Sequence, residues 1–62
     1  MIIETSCNRF FRVTETNQPG LEHVWSGHEV KRKKTPLGIQ WVIKATIKDV
    51  LVRKAATRVV EA

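Results

Sequence analysis

The stretch from Leu37 to Ile47 constrains this chain more than any other. Positions 37, 39, 41, 43, 45 and 47 are Leu, Ile, Trp, Ile, Ala and Ile, and the residues between them are Gly38, Gln40, Val42, Lys44 and Thr46. One face is wholly apolar and the other nearly all polar, which is the period of a half-buried strand. A helix is the competing reading. Thr35-Pro36 suits an N-cap with proline in the first turn, and Ile39, Val42, Ile43, Ile47, Val50 and Leu51 then share a face. Continued further, that face would also carry Lys54 and Arg58. The density of β-branched residues favours the strand as well.

Upstream, Asn17-Gln18-Pro19-Gly20 is a turn, because proline presets φ and glycine accepts positive φ. Arg9 to Glu15, rich in aromatic and β-branched residues, reads as the strand before it. Leu21–Gly27 and His28–Arg32 read as an extended segment with a bend or bulge at Gly27. A loop is expected over Lys33-Lys34-Thr35-Pro36. Downstream, Lys48-Asp49 reads as a tight turn, Val50–Arg53 as a strand, Ala55–Thr57 as a single helical turn and Arg58–Val60 as a last strand. Residues 1–8 read as a loose N-terminal arm. The expected fold is therefore mainly β, a small five-stranded SH3-like barrel with one short helical turn near its C-terminus, since closure removes exposed edges. The alternative is α+β, an N-terminal hairpin with a long C-terminal amphipathic helix.

Sixty-two residues make one domain with a small core. They exclude doubly wound sheets and large barrels. Cys7 is the only cysteine, so no internal disulfide forms. With no signal-peptide pattern and no apolar run of membrane-spanning length, the expected setting is intracellular, in cytoplasm or nucleoid, and not secreted. His23 and His28 fall on opposite faces of a strand, a poor arrangement for one metal. The carboxylates show no paired spacing, Gly20, Gly27 and Gly38 are isolated, and nothing places a base beside Cys7. Sequence reasoning therefore expects no enzyme, no cofactor and no metal.

Charge gives the positive indication. Eleven lysines and arginines face six acids, for a net charge of +5 and a pI near 10.0. Lys31-Arg32-Lys33-Lys34 is the sharpest feature. Four consecutive cations repel one another and call for an anionic partner. Lys44, Lys48, Arg53, Lys54 and Arg58 extend the candidate basic surface. Trp25, at the bend, is the candidate stacking residue, although a small core also needs its aromatics. Trp41 is expected in the core. Phe10 and Phe11 should face opposite sides of their strand.

The chain resembles the C-terminal DNA-binding domain of retroviral integrases. The likeness rests on Phe11-Arg12-Val13, Leu21-Glu22, Trp25-Ser26-Gly27, Gly38 with Val42-Ile43, and Ile47-Lys48-Asp49-Val50-Leu51-Val52 leading into Arg53-Lys54-Ala55 and Val59-Val60. It implies a small barrel that binds DNA. The barrel of type II dihydrofolate reductases is similar to the chain to about the same degree. Those enzymes carry Val-Gln-Ile-Tyr in the late strand, whereas this chain has Val50-Leu51-Val52-Arg53, which argues against reductase activity.

The functional expectation is a small basic protein that binds nucleic acid, DNA sooner than RNA, through the phosphate backbone with little sequence specificity. A homodimer fits its marginal core. The rival is a phage- or plasmid-type interaction module docking on an acidic protein surface.

Overall fold

The computed structural model describes residues 1–44 and 48–62. It is mainly β: β1 (Ile2–Thr5), β2 (Phe10–Glu15), β3 (Val24–Thr35), β4 (Gly38–Ile43), β5 (Val50–Arg53) and β6 (Thr57–Glu61), with one 3-10 turn at Lys54–Ala56 before β6. Among the described residues the strands number six where five were expected. The alternative with a long C-terminal helix fails, because Val50–Arg53 and Thr57–Glu61 are strands. The part of the expected long strand at Ala45, Thr46 and Ile47 lies outside the described residues; β4 itself ends at Ile43.

All pairings are antiparallel. Along one path the order is β4-β3-β2-β1-β6, and β5 pairs with the first half of β3. The twelve-residue β3 serves two sheet segments. Trp25–Val30 pairs with β2, and Val24–Gly27 pairs with β5 on the opposite edge. Val30–Thr35 runs on alone with β4 as a hairpin.

The sheet curls on itself for a simple metric reason. In a flat sheet β5 and β6 would lie four strand spacings apart, about 19 Å. Arg53 and Thr57 are joined by only the three residues of the 3-10 turn, a link of about 14 Å at full stretch. The two edges must therefore approach each other. The Lys54 amide continues the β3–β5 ladder by donating to the His23 carbonyl (3.0 Å), and across the closure the Trp25 indole N–H of β3 donates to Thr57 Oγ1 of β6 (3.4 Å). The result is barrel-like.

The core is Ile2, Ile3, Phe11, Val13, Val24 and Val30. Ile3, Phe11 and Val13 form its centre, with Met1, Trp25 and Val52 packed against them. Two of the six core residues come from the segment expected to be a loose arm. That segment is a strand because Ile2-Ile3 is β-branched and because Asn8 takes φ 60°, a left-handed conformation that asparagine tolerates. With Asn8 donating to the Thr5 carbonyl and Thr5 to the Arg9 carbonyl, the chain reverses tightly into β2.

Three other expectations change. Lys33, Lys34 and Thr35 belong to β3 and not to a loop. Consecutive lysines on a strand point to opposite faces, so the basic run is compatible with a strand. The turn shrinks to Pro36-Leu37, with Gly38 at φ 126° and Thr35 Oγ1 donating to the Gly38 carbonyl at 2.7 Å. Gly27 causes no break in register, since it pairs with Val13 in an unbroken ladder. The apolar face of β4 is also not the core. Leu37 is wholly exposed, Ile39 is 53% and Ile43 50% exposed, and Trp41 is only half-buried.

Candidate nucleic-acid interface

The β3–β4 hairpin is an arm. Its longest dimension is part of a molecule 42 Å long but only 22 × 20 Å in section. Six β3 residues from Val30 to Thr35 span about 20 Å. The register pairs Lys31 with Val42, Arg32 with Trp41, Lys33 with Gln40 and Lys34 with Ile39. Directly opposed residues share a face. One face thus carries Lys31, Lys33, Gln40 and Val42, and the other carries Arg32, Lys34, Ile39, Trp41 and Ile43.

The arm is anchored at its base. The Phe10 ring lies 5.0 Å from the Trp41 ring, tilted 48°, and the Arg32 guanidinium sits 5.4 Å over Phe10. The Trp41 indole N–H donates to Glu61 Oε2 at 2.9 Å, tying β4 to the end of β6. Beyond Trp41 the residues of both hairpin strands are exposed, apart from the half-buried Thr35. Phe10 and Phe11 face opposite sides as expected: Phe11 is in the core and Phe10 supports the arm.

Charge is segregated between arm and body. Lys31–Ile43 contains four cations and no acid, so the arm carries +4. The remaining seven cations and six acids leave the body at +1. On the body four of the seven cations are paired internally. Arg9 makes a bidentate contact with Glu29 (2.8 and 3.0 Å), and Lys44 reaches the same carboxylate at 3.4 Å. Lys54 contacts Glu15 at 2.8 Å, and Arg58 contacts Glu4 at 2.7 Å. Among the described residues, Arg12, Lys31, Arg32, Lys33, Lys34, Lys48 and Arg53 have no such carboxylate partner.

The expected site residues therefore divide. Lys31, Arg32, Lys33 and Lys34 are together on the arm. Lys44, Lys48 and Arg53 line an open pocket of about 670 Å³ with Phe11, Val50 and Val52. A second, smaller concavity shares Arg9, Glu29 and Lys44 with it and adds Lys31 and Arg32, so the basic surface continues from the arm into the pocket. Lys54 and Arg58 lie apart, each at its own acid. Trp25 packs on the core, and the Lys54 ammonium sits 4.4 Å over its ring. Both contacts are internal, so the ring is not a free stacking platform. His28 lies on β3 opposite Arg12, and His23 lies in the turn before it.

Sequence reasoning missed Arg9 and Leu37. The alternation Arg9-Phe10-Phe11-Arg12, which separated the two phenylalanines, was also the available signal for Arg9. Once Phe11 faces the core, Arg9 must share its side and Phe10 must face the other way.

The Arg9 contact, reinforced by Lys44, holds the Glu29 carboxyl down at about 2. In an unfolded chain a glutamate ionises near 4.3. The folded value is the lower one, so the cluster's contribution to stability is complete above about pH 4.5 and is lost as pH falls toward 2. Glu29→Gln should lack that acid-dependent component. Urea midpoints measured between pH 5 and pH 2.5 should fall less steeply for the variant than for the native chain. Superimposable pH profiles would refute this.

No known protein family, characterised protein or solved structure matches the chain. No helix among the described residues is long and apolar enough to cross a membrane.

Proposed function

We propose that this chain binds nucleic acid, chiefly through phosphates and with little sequence specificity. The observation that carries the reading is the segregation of charge: a projecting two-stranded ribbon holds +4 of the net +5 and no acid. Cations gathered on one appendage without carboxylate partners gain little from the fold itself, Arg32 over Phe10 being the exception. They gain free energy by displacing counterions condensed on a polyanion. Lysines and arginines spread over both faces of a ribbon read the backbone and not base edges.

Duplex DNA is the preferred ligand. A two-stranded ribbon matches the scale of B-form grooves, whereas the major groove of A-form RNA is too deep and narrow to admit one. Lys44, Lys48 and Arg53, continuous with the arm, extend the phosphate-contacting surface. Nothing in this reading calls for catalysis, a metal or a cofactor.

The test is fluorescence anisotropy with labelled single- and double-stranded DNA and RNA over a salt series, using the native chain and a variant with Lys31, Arg32, Lys33 and Lys34 all changed to Ala. Each neutralised phosphate contributes a slope of about −0.9 in log K against log salt on duplex DNA. The variant should therefore lose about 3–4 units of slope and bind at least about a hundredfold more weakly near physiological salt. Arg32→Ala also removes the contact over Phe10 at the base of the arm, while Phe10 keeps its packing on Trp41, and circular dichroism of the variant checks that the native spectrum is retained. Absence of binding to all four nucleic acids at that salt would overturn the proposal. The arm would then be a surface for an acidic protein.

A further inference from the structure

Resting on the reading that the arm engages DNA, we infer that its tip is a wedge. Leu37 enters the minor groove between base pairs and bends the duplex, while the cations behind it hold the two flanking phosphate rows.

Three observations place this function at the tip. Leu37 is fully exposed at the end of the ribbon, in a two-residue turn with Pro36. A lone exposed leucine is ordinary. This one, however, is joined by Pro36 and by Ile39, 53% exposed on the adjoining β4 position, so the distal end of the most basic element is apolar. The turn is also held in shape. Proline fixes φ at one position, Gly38 adopts φ 126°, and the Thr35 hydroxyl bonds the Gly38 carbonyl. A presenting loop of this kind loses little conformational freedom when its leucine inserts.

The placement of charge selects the groove. Lys33 lies on one face of the ribbon and Lys34 on the other, immediately behind the turn, with Lys31 and Arg32 repeating the pattern one step back. Cations on both faces suit a ribbon standing between two rows of phosphates. The minor groove, about 6 Å wide, is the narrower of the two, and the two-residue tip is the part of the ribbon slim enough to enter it. Apolar side chains wedged there unstack one base step, open the groove and kink the helix toward the major groove. Lys44 at the arm's base, with Lys48 and Arg53 along the adjoining pocket, offers further cations to the flanking phosphates.

The experiment uses the whole chain and a 30-base-pair duplex carrying a donor and an acceptor dye at its ends. Saturating native protein should raise energy transfer. Leu37→Ala should saturate the same duplex with an unchanged salt slope and leave energy transfer at the value for free DNA. The native chain should also favour a duplex with a central mismatch by about tenfold, because unstacking there is already partly done, and Leu37→Ala should lose that preference. If the native chain saturates the duplex without a rise in energy transfer, or Leu37→Ala bends it equally, the wedge is overturned while the phosphate-binding reading stands. If the native chain does not bind the duplex near physiological salt, both fall together.

Discussion

Replacing Gly27 by Ala should lower the thermal midpoint by about 12–24 °C, the largest effect expected from a single added carbon in this chain. Gly27 pairs with Val13 at the centre of the β2–β3 ladder. A Cβ built there collides with the Arg12 carbonyl oxygen, and it would lie 2.7 Å from Val13 Cα and 2.8 Å from the Arg12 carbonyl carbon. These are backbone atoms of the neighbouring strand, so no side-chain rotation relieves the contact. Either the ladder opens or β2 moves away, and Phe11 and Val13 move with it. Overpacking of this kind costs on the order of 3 kcal/mol. For a domain of this size each kcal/mol is worth about 4–8 °C. The check is thermal unfolding followed by far-ultraviolet circular dichroism. A midpoint within a few degrees of the native one would show that the strands part readily, contrary to the close approach seen here. Gly20→Ala is the control. Its Cβ meets nothing, and only the positive φ of 87° opposes it, a cost of about 1 kcal/mol.

Gly27 also shows what the sequence reveals and what it does not. A glycine inside a strand pattern signals either a bulge or a close backbone approach. The two have the same local signature, and only the identity of the neighbouring strand separates them. The alternation at Leu37–Ile43 has the same limit. A period of two correctly marked a strand, yet burial depends on what lies opposite, and the partner of β4 is the polycationic half of β3. A face that reads as core became one side of an arm. The core instead draws Ile2 and Ile3 from a segment too short to show periodicity. Its only local signs were two β-branched residues and an asparagine placed to reverse the chain. The basic run itself was legible without the fold. What the fold added was the pairing of Arg9, Lys44, Lys54 and Arg58 with acids distant in sequence, by up to 54 residues for Arg58 and Glu4. Such pairing is set by register between non-adjacent strands and leaves no local trace.

The N-terminal strand should accordingly decide whether the chain folds. Ile3 is fully buried and stands between Phe11 on β2 and Val59 on β6. Ile3→Ala removes three carbons from the centre of a six-residue core, at a cost of about 2–5 kcal/mol. A domain of 62 residues has a total stability of roughly 3–9 kcal/mol. The substitution is therefore comparable with the whole margin, and a large part of the population should be unfolded at 37 °C. Deleting Met1–Thr5 goes further. It removes Ile2 as well, strips the ladder bonds from β2 and β6 at once, and leaves β6 with no strand to pair with. Amide hydrogen exchange measures this directly. In the native chain the β1, β2 and central β3 amides should be the slowest to exchange, and in the truncated chain that protection should vanish throughout. A truncated chain that kept slow exchange in β2 and β3 would mean that the hairpin folds by itself and that β1 is an accessory to it. The arm tip provides the internal contrast. Leu37→Ala touches nothing buried and should leave the exchange pattern of the body unchanged, so a loss of DNA bending in that variant is separable from a loss of fold.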